Sequence, residues 1–248
     1  MQPDDAARTA RVAFDRLLET EAPALRPLLP SGFADAAERY VGLLLEANGR
    51  LNLTRVVEPE AIARLHLLDA VAALPLIDAA GPRRALDLGS GGGVPGLLLA
   101  LARPSVAWTL VDSVGKKVEA LRSFVEELGI SNITALAGRA EALGRGDLRG
   151  TQDLVTARAC ASLPVLAEYS LPLVHPGGML LAWKGAITGA ELAAGTAASR
   201  LLGGGVPVVH PSGFPALGDH RFVLVPKVAA TPGRYPRRPG EPARHPMA

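Results

Sequence analysis

The segment from residue 86 to residue 96 reads LDLGSGGGVPG, and it is well suited to binding a ligand through its backbone. Glycine allows sharp turns and a close approach of the main chain to a bound molecule. Asp112 follows Gly89 by 23 residues. At about this spacing, α/β proteins place a carboxylate that accepts hydrogen bonds from the ribose of an adenosine group. The spacing therefore predicts a site for an adenosine-containing cofactor.

Two classes of cofactor use such a loop. Gly91, Gly93 and Gly96 match the G-x-G-x-x-G pattern of dinucleotide-binding enzymes. Asp87, Gly89 and Gly91 match the acid-x-Gly-x-Gly pattern that is typical of S-adenosylmethionine methyltransferases. The turn begins at Gly89, earlier than the dinucleotide pattern requires. Asp87 also sits where a cationic ligand could be held, whereas a pyrophosphate favours a helix N-terminus without nearby acids. These residues favour S-adenosylmethionine and leave an NAD-dependent oxidoreductase as the alternative.

The rest of the chain offers few groups for covalent or metal chemistry. A single cysteine, Cys160, excludes a disulfide framework and a cysteine-rich zinc site, and no serine–histidine–aspartate set stands at hydrolase spacing. Cys160 stands between Ala159 and Ala161, which favours a small buried residue over a nucleophile. We therefore expect no metal ion. Methylating a ring nitrogen that has a free lone pair needs alignment rather than a general base, so the composition is compatible with that reaction.

Positioning these residues requires regular elements, and strands alternate with helices from residue 84 onward. Seven short runs are typical of β-strands and cover residues 84–88, 106–111, 132–135, 153–157, 178–183, 206–209 and 221–225. Helical patterns lie between several of them, notably at 116–128 and 163–173. This alternation predicts a Rossmann-like α/β fold with a mostly parallel seven-stranded sheet. Ligands of such sheets bind beyond the carboxyl ends of the strands.

Helical periodicity dominates the first eighty residues. Apolar residues recur at helical spacing before Asn48-Gly49, which is predicted to end that helix. A third helix is predicted to begin near Glu58, where a proline and acids follow, and to end at Leu74-Pro75. We therefore expect three units: an N-terminal helical extension (1–80), a Rossmann-like methyltransferase core (81–230) and a basic tail rich in proline and arginine (231–248).

Composition places the chain in the globular class. A length of 248 residues with 48% hydrophobic and 20% charged residues suits one large α/β domain with an appendage. The chain has no run of 18 apolar residues, so we expect no membrane span. It also has no charged start followed by an apolar run, which favours a cytoplasmic location. We take a monomer as the default oligomeric state.

Positive charge is concentrated at the C-terminal end. The formal net charge of the chain is +2, but residues 226–248 hold five basic residues and one acid, a net of +4. Arginine presents a planar fork of donors that suits phosphate, so Arg237 and Arg238 are candidate contacts to RNA. A solvated surface segment explains the same charge, and charge alone leaves both interpretations open.

Several strings, taken in order along the chain, resemble one protein family. They are Asn52-Leu53-Thr54, His66-Leu67-Leu68-Asp69, the glycine loop with its Val94-Pro95-Gly96 ending, Asp112-Ser113 with Lys116-Lys117, Gly138-Arg139-Ala140-Glu141, Arg158-Ala159 with Ser162-Leu163, Lys184-Gly185, and the tail from Thr231 to Gly240. Each string is short, but in this order they are specific together. The chain resembles the bacterial 16S rRNA (guanine-N7) methyltransferase G family, also called glucose-inhibited division protein B.

The resemblance implies S-adenosylmethionine as the cofactor and 16S rRNA of the small ribosomal subunit as the partner. It further implies direct in-line methyl transfer to N7 of a guanine in the 530 loop, without a covalent intermediate. By the same resemblance, Gly89, Gly91 and Val94 would line the cofactor loop and Asp112 would hold the ribose. The Ala140-Glu141 pair would meet the adenine, largely through its backbone.

Four further site residues follow from the resemblance. Arg158, at the end of the fourth strand, would sit beside the methionine end of the cofactor or the target base, and it is the best candidate for a catalytic residue. A cation there can bind a carboxylate or the O6/N7 edge of guanine. Lys184 ends the fifth strand and would meet RNA phosphate or the cofactor. His66 and Asp69 would shape the RNA side of the pocket. A purely structural role remains an alternative for each of these four residues.

The sequence departs from the family pattern next to His66. The family usually has arginine where this chain has Leu65 and serine where it has Ala70, and the nearest basic residue is Arg64. These departures bear on RNA contacts from that helix rather than on the cofactor loop. A non-catalytic RNA-binding module that has kept the methyltransferase fold is a further alternative.

Overall fold

The computed structural model describes residues 2–158 and 161–247. Within these residues one sheet contains the strands β1 (Arg84–Leu88), β2 (Ala107–Asp112), β3 (Ile133–Ala137), β4 (Gln152–Arg158), β5 (Val174–Lys184), β6 (Val208–Pro211) and β7 (Arg221–Pro226). Their order is β3-β2-β1-β4-β5-β7-β6. The first five strands are parallel, and β7 pairs antiparallel with both β5 and β6. The prediction of a mostly parallel seven-stranded sheet is confirmed.

Helices surround this sheet. They are α1 (Pro3–Thr20), α2 (Phe33–Leu51), α3 (Pro59–Ile62), α4 (Asp69–Val71), α5 (Leu74–Ala80), α6 (Gly96–Ala102), α7 (Gly115–Leu128), α8 (Ala140–Leu143), α9 (Leu163–Ser170), α10 (Gly189–Leu201) and α11 (Glu241–Arg244). Consecutive residues of β1 from Ala85 to Leu88 are all buried. Successive side chains of a strand point to opposite faces of the sheet. A strand whose consecutive residues are all buried is therefore covered on both faces, as is usual in parallel sheets.

The carboxyl ends of four parallel strands bring candidate residues to one edge of the sheet. Leu88 ends β1 directly before the glycine loop, Asp112 ends β2, Arg158 ends β4 and Lys184 ends β5. β1 lies between β2 and β4. The chain forms β2 and β3 on one side of β1 and then forms β4 and β5 on the other side. This is the topological switch point, where open α/β sheets bind their ligands.

Helix α2 runs past the stop that was predicted at Asn48-Gly49 and ends at Leu51. Asn52 follows in the left-handed conformation with φ of 50°, and its N–H donates to the Asn48 carbonyl oxygen at 3.2 Å. Asparagine tolerates this conformation and ends helices by this bond. The predicted stop was therefore wrong. Gly49 lies within the last turn of α2, and the left-handed residue that ends the helix is Asn52.

The predicted third helix is also wrong in its extent. α3, a π-helical turn (Ala63–Leu68) and α4 follow one another directly, and α5 begins at Leu74, where the prediction ended the helix. Pro75 lies in the first turn of α5. Proline is accepted there because the N–H that it lacks has no partner inside the helix anyway. Because proline is also common just after a helix end, the Leu74-Pro75 pair was wrongly predicted to end a helix.

The N-terminal helices support the glycine loop. The buried Tyr40 of α2 donates its hydroxyl to the Gly92 carbonyl oxygen at 2.8 Å. A Cβ on Gly92 would lie 2.7 Å from Leu44 Cδ1, so α2 packs directly on the loop. The division of the chain into three units stays a prediction. Across the described part of the chain, no helix combines the length and apolarity needed to cross a bilayer.

Candidate cofactor and substrate site

The glycine loop folds as its composition predicts. Gly89, Gly91 and Gly93 have φ of 74°, 54° and 107°, a region that glycine enters without a Cβ clash. The N–H groups of Gly89 and Ser90 both donate to the Val111 carbonyl oxygen, at 2.8 and 2.9 Å. These bonds tie the loop to the end of β2. The main chain is thus held in a shape that a ligand can approach closely.

The same loop orients the Asp112 carboxylate. Its Oδ2 accepts the N–H of Gly91 at 3.0 Å, and its Oδ1 accepts the N–H of Val114 at 2.9 Å. Asp112 is 8% exposed, so few other arrangements are open to it. Each carboxylate oxygen can accept a second hydrogen bond. Both oxygens can therefore take a ribose hydroxyl while they keep their backbone partners, and the residues present fit an adenosine group.

A cavity of about 140 Å³, the strand-end cavity, opens beside this carboxylate. Its lining includes Gly89, Asp112, Ala140, Glu141 and Tyr169. The first two lie at the ends of β1 and β2, the next two begin α8, and the last belongs to α9. Four of the residues implied to surround an adenosine group are thus brought together around one space.

Within that wall, the Glu141 carboxylate is turned away toward the C-terminal segment. Its Oε1 accepts the N–H of Gly240 at 2.7 Å, and its Oε2 lies 3.8 Å from Arg139 Nε. The side chain is almost fully buried. The geometry therefore leaves the backbone of Ala140 and Glu141, rather than the carboxylate, to meet a ligand.

Asp87 lies beneath the glycine loop, and the Oδ2 atom of its carboxylate is buried without a hydrogen-bond partner among the described residues. Its carboxylate is buried, and Oδ1 accepts the Thr156 hydroxyl at 2.7 Å. Burial raises its pKa. The first residue of α6, Gly96, packs so closely that a Cβ there would lie 2.5 Å from Asp87 Cβ. The acid thus packs beneath the loop, and its contact with a cationic ligand stays a prediction that the unpaired Oδ2 favours.

A second space of about 270 Å³, the loop cavity, follows the glycine loop. Gly89 borders both it and the strand-end cavity. Gly91 and Val94 line it from the loop, and His66 and Arg158 line it from the other side. The residues predicted for the cofactor loop and two residues predicted for the substrate side therefore meet here.

A third space of about 430 Å³, the outer cavity, continues from that point. His66 and Arg158 border both it and the loop cavity. Asp69, Trp183 and Lys184 are among its other lining residues. The three cavities therefore form a series along the strand ends, with Arg158 and His66 at the second junction.

Arg158 is held at that junction by a buried carboxylate. Its Nη1 donates to Asp69 Oδ2 at 3.1 Å and to the Leu65 carbonyl oxygen at 2.6 Å. The other oxygen of Asp69, Oδ1, lies 2.9 Å from His220 Nδ1. Asp69 is 1% exposed. The hydrogen bond to this carboxylate raises the pKa of His220, so one acid is shared by an arginine and a histidine that favours its charged form.

His66 is a neutral imidazole in this setting. Burial, followed by the charge of Arg158, lowers its pKa to about 4. Nε2 lies 2.9 Å from the Thr54 hydroxyl, and Nδ1 lies 3.1 Å from the Leu65 carbonyl oxygen. Nδ1 also lies 3.4 Å from Arg158 Nη2. A protonated Nδ1 can donate to the carbonyl, an unprotonated Nδ1 can accept from the guanidinium, and the Thr54 hydroxyl can pair with Nε2 in either tautomer. His66 therefore shapes the cavity wall without carrying charge.

Lys184 reaches the outer cavity as an ion-paired residue. Its Nζ lies 2.7 Å from Glu191 Oε1 and donates to the Ala161 carbonyl oxygen at 3.2 Å. The same Glu191 oxygen accepts the N–H of Leu163 at the start of α9. The ammonium group thus links the end of β5 to α9 and α10, and it stands at the wall of the cavity rather than at its centre.

The two tail arginines differ. Arg237 grips the buried Glu168 carboxylate, with Nη2 at 2.6 Å from Oε2 and Nε at 3.0 Å from Oε1. Its guanidinium is already engaged, which argues against its predicted contact with RNA. Arg238 is exposed and stays a candidate for that contact.

Two residues of the outer cavity escaped the sequence interpretation. Trp183 donates its ring N–H to the Asp69 carbonyl oxygen at 2.9 Å, and His220 meets the Asp69 carboxylate from the loop before β7. Trp183 immediately precedes Lys184, so its place at a strand end was the available signal. Nothing local marks His220. Cys160, which was interpreted as a small buried residue, lies outside the described residues.

The sheet order with antiparallel β7, the glycine loop after β1 and the acid at the end of β2 together define a Rossmann-like protein with a site for an adenosine-containing cofactor. The fold is similar to that of the mitomycin 7-O-methyltransferase MmcR, with a TM-score of 0.55 at 16% identity over 75% of this chain and 60% of that chain. It is also similar to the CMeT domain of a citrinin polyketide synthase, with a TM-score of 0.55 at 14% identity over 88% of this chain and 69% of that chain.

The family model described as rRNA small subunit methyltransferase G matches residues 34–212. The ribosomal RNA small subunit methyltransferase G of Deinococcus radiodurans is 43% identical over 84% of this chain and 83% of its own length. The protein of the same name from Symbiobacterium thermophilum is 39% identical over 95% of this chain and 98% of its own length. The chain belongs to the rRNA small subunit methyltransferase G family.

Membership decides between the alternatives that the sequence left open. The chain is a methyltransferase with S-adenosylmethionine as its cofactor and ribosomal RNA as its substrate class, as predicted. An NAD-dependent oxidoreductase is not supported, because the family to which the chain belongs is one of methyltransferases. A non-catalytic RNA-binding module is likewise not supported.

Proposed function

We propose that the chain transfers the methyl group of S-adenosylmethionine to N7 of a guanine in the 530 loop of 16S rRNA. The observation that carries this proposal is the series of three cavities along the strand ends. The strand-end cavity fits an adenosine group beside Asp112, and the outer cavity is large enough for a flipped base. The loop cavity between them, bordered by Gly89 and Arg158, is where methyl transfer would occur.

The cofactor supplies an electrophilic sulfonium methyl group when it is bound. The glycine loop would hold it through Gly89, Gly91 and Val94, and Asp112 would fix its ribose. The Ala140-Glu141 backbone would meet the adenine. These contacts would hold the methyl group in the loop cavity, between Gly89 and Arg158. Holding two reactants in line is itself a large part of catalysis, since it replaces a chance encounter.

Guanine N7 carries a lone pair and no proton. The carbon–nitrogen bond forms as the carbon–sulfur bond breaks, and the positive charge passes from sulfur to the guanine ring. No proton has to leave, so the reaction needs no general base. His66 agrees with this scheme, because it is neutral and both of its ring nitrogens already have partners.

Arg158 would position one reactant at the junction of the loop and outer cavities. Its guanidinium can bind the carboxylate of the methionine moiety or the O6 edge of the target guanine. Asp69 fixes the orientation of that guanidinium through the 3.1 Å contact. Lys184, at the cavity wall, and the exposed Arg238 would serve RNA phosphates.

The decisive experiment combines methyl-labelled S-adenosylmethionine with small ribosomal subunits from a strain that lacks the gene. The label is then located by N7-selective chain cleavage and primer extension. A single stop in the 530 loop is expected. A stop elsewhere in 16S rRNA would overturn the proposed nucleotide. Incorporation that resists N7-selective cleavage would overturn the proposed atom.

Two variants test the residue assignments. Gly89→Asp places a carboxylate on the residue that borders both the strand-end and loop cavities, and it should abolish cofactor binding. Arg158→Ala should remove turnover with limited loss of fold, because Asp69 keeps His220 as a partner. Methyl incorporation at the wild-type rate in both variants would show that the site has been misplaced.

A further inference from the structure

The C-terminal segment from residue 231 to residue 247, here called the strap, is bound to the core at several points. Arg149 Nη2 donates to the Thr231 carbonyl oxygen at 2.7 Å, and its Nη1 donates to the Tyr235 carbonyl oxygen at 2.8 Å. Nη1 also donates to the Gly144 carbonyl oxygen at 2.8 Å. One core arginine thus joins the strap to the end of α8.

The strongest anchor of the strap is Arg237 on Glu168. The Glu168 carboxylate has no solvent exposure. Its Oε1 accepts the backbone N–H of Arg237 at 2.7 Å, and its two oxygens receive Nε and Nη2 of the same residue. Fork-shaped pairing of this kind fixes both partners, since two parallel bonds leave little freedom of rotation.

These anchors adjoin two elements of the strand-end cavity wall. Glu168 directly precedes Tyr169, which lines that cavity from α9. Glu141, which lines it from α8, accepts the N–H of Gly240. The strap therefore contacts both helices that contribute to the cavity wall, α8 through Glu141 and α9 through Glu168.

We propose that Arg237 is a positioning residue for the cofactor, acting through Glu168 and the α9 wall of the strand-end cavity rather than through contact with RNA. The proposal rests on the cofactor position described above. Without Arg237, a fully buried carboxylate would lose its cation, and a buried unpaired charge is strongly unfavourable. Helix α9 would shift to hydrate Glu168, and Tyr169 would move with it. The cavity would then fit the adenosine group less well.

The test measures S-adenosylmethionine affinity by titration calorimetry in the absence of RNA, and small-subunit affinity separately. Arg237→Gln removes the cation and leaves Glu168 charged. The double variant Glu168→Gln with Arg237→Gln removes both charges and keeps an acceptor for the backbone N–H of residue 237. Arg238→Gln is the matched control, since it removes the adjacent but exposed arginine of the same strap.

Arg237→Gln should bind the cofactor about tenfold more weakly than the wild type, in the range of coupling between contacting residues. The double variant should recover most of this loss, and Arg238→Gln should bind the cofactor as the wild type does. Small-subunit affinity should be unchanged in Arg237→Gln. If Arg237→Gln does not fold, Arg237→Lys replaces it, because a single ammonium cannot make the forked contact.

Three outcomes would overturn the proposal. The first is wild-type cofactor affinity in Arg237→Gln or, in its place, Arg237→Lys. The second is a loss confined to small-subunit affinity, which is the signature of an RNA contact. The third is a double variant that binds the cofactor as weakly as the single one, since recovery depends on removing the stranded charge. A wild-type protein that does not bind the cofactor would instead refute the proposed function, so the two failures are distinguishable.

Discussion

Adding one methyl group at Gly96 tests how the glycine loop is held. An ideal Cβ on Gly96 would lie 2.5 Å from Asp87 Cβ, whereas ordinary contact begins at 3.4 Å, so α6 would have to move by 0.9 Å. Asp87 Cβ is bonded directly to the main chain of β1 and cannot rotate away, while Leu110 Cδ2, at 2.6 Å, can. Overpacking of a close-packed core costs about 1–3 kcal/mol. We place Gly96→Ala at about 2 kcal/mol, which lowers Tm by about 4–8 °C for a chain of this size.

Thermal and urea unfolding measure this cost, and calorimetry with S-adenosylmethionine measures its effect on the site. Helix α6 begins directly after the loop, so a displaced α6 should also weaken cofactor binding. Gly115→Ala is the matched control, because a Cβ at Gly115 meets nothing within 4 Å and the residue begins α7. It should leave stability unchanged or raise it by up to about 1 kcal/mol. Equal Tm values and equal cofactor affinities in the two variants would refute the reasoning.

Three further predictions concern single side chains. Tyr40→Phe leaves the buried Gly92 carbonyl oxygen without its donor and should cost about 1–2 kcal/mol of unfolding free energy; unchanged urea denaturation would contradict this. The pKa of His66, lowered to about 4 by burial, should appear in NMR as a ring that stays neutral down to about pH 5; a midpoint near the ordinary value of 6.5 would refute it. The pKa of His220 is raised by its bond to Asp69, so this ion pair stabilises the fold fully below pH 6.5 and is lost as pH rises through the raised pKa. The unfolding free energy of the wild type minus that of His220→Asn should therefore shrink as pH rises above 6.5, and a constant difference would count against the pair.

The strands were predictable because each short apolar run lies between turn-forming residues. The run at 84–88 is β1, residue for residue.

Helix α10 was not predicted from the sequence, for a physical reason. Its buried residues are Gly195, Ala198 and Ser199, and a Cβ on Gly195 would lie 2.4 Å from Leu163 Cδ2. A helix that packs through small residues carries no apolar stripe, so its pattern gives little signal.

The residues of the candidate site fall into two groups: those that a local sequence pattern marks, and those that only distant contacts bring together. The glycine loop and Asp112 could be found because a strand, a turn and a following acid are all written in one short segment. His220 could not, because it meets Asp69 across 151 residues and only the antiparallel pairing of β7 with β5 brings it there. The engagement of Arg237 by Glu168, 69 residues away, was hidden for the same reason.

The departure at Leu65 has little consequence for the Arg158 contact, because that contact uses the main chain. The Leu65 carbonyl oxygen accepts Arg158 Nη1 at 2.6 Å, and a carbonyl oxygen is present whatever side chain the position carries. The carbonyl, His66 and Asp69 all reach Arg158 from the π-helical turn and the first residue of α4. Such turns are frequent at functional sites, since they redirect side chains within a continuous helix.

Asp69 also resolves an electrostatic difficulty in the proposed reaction. The methyl donor is a cation, and an arginine without a counter-charge at the junction of the loop and outer cavities would repel it. Asp69 is buried at 1% exposure and contacts Arg158 at 3.1 Å, and its other oxygen contacts His220, so the carboxylate offsets part of the positive charge that the arginine brings to the junction. His66 adds no charge there, because it is neutral. In the proposed reaction, the helical segment before β1 would thus supply the carboxylate that helps a guanidinium to stand beside a sulfonium.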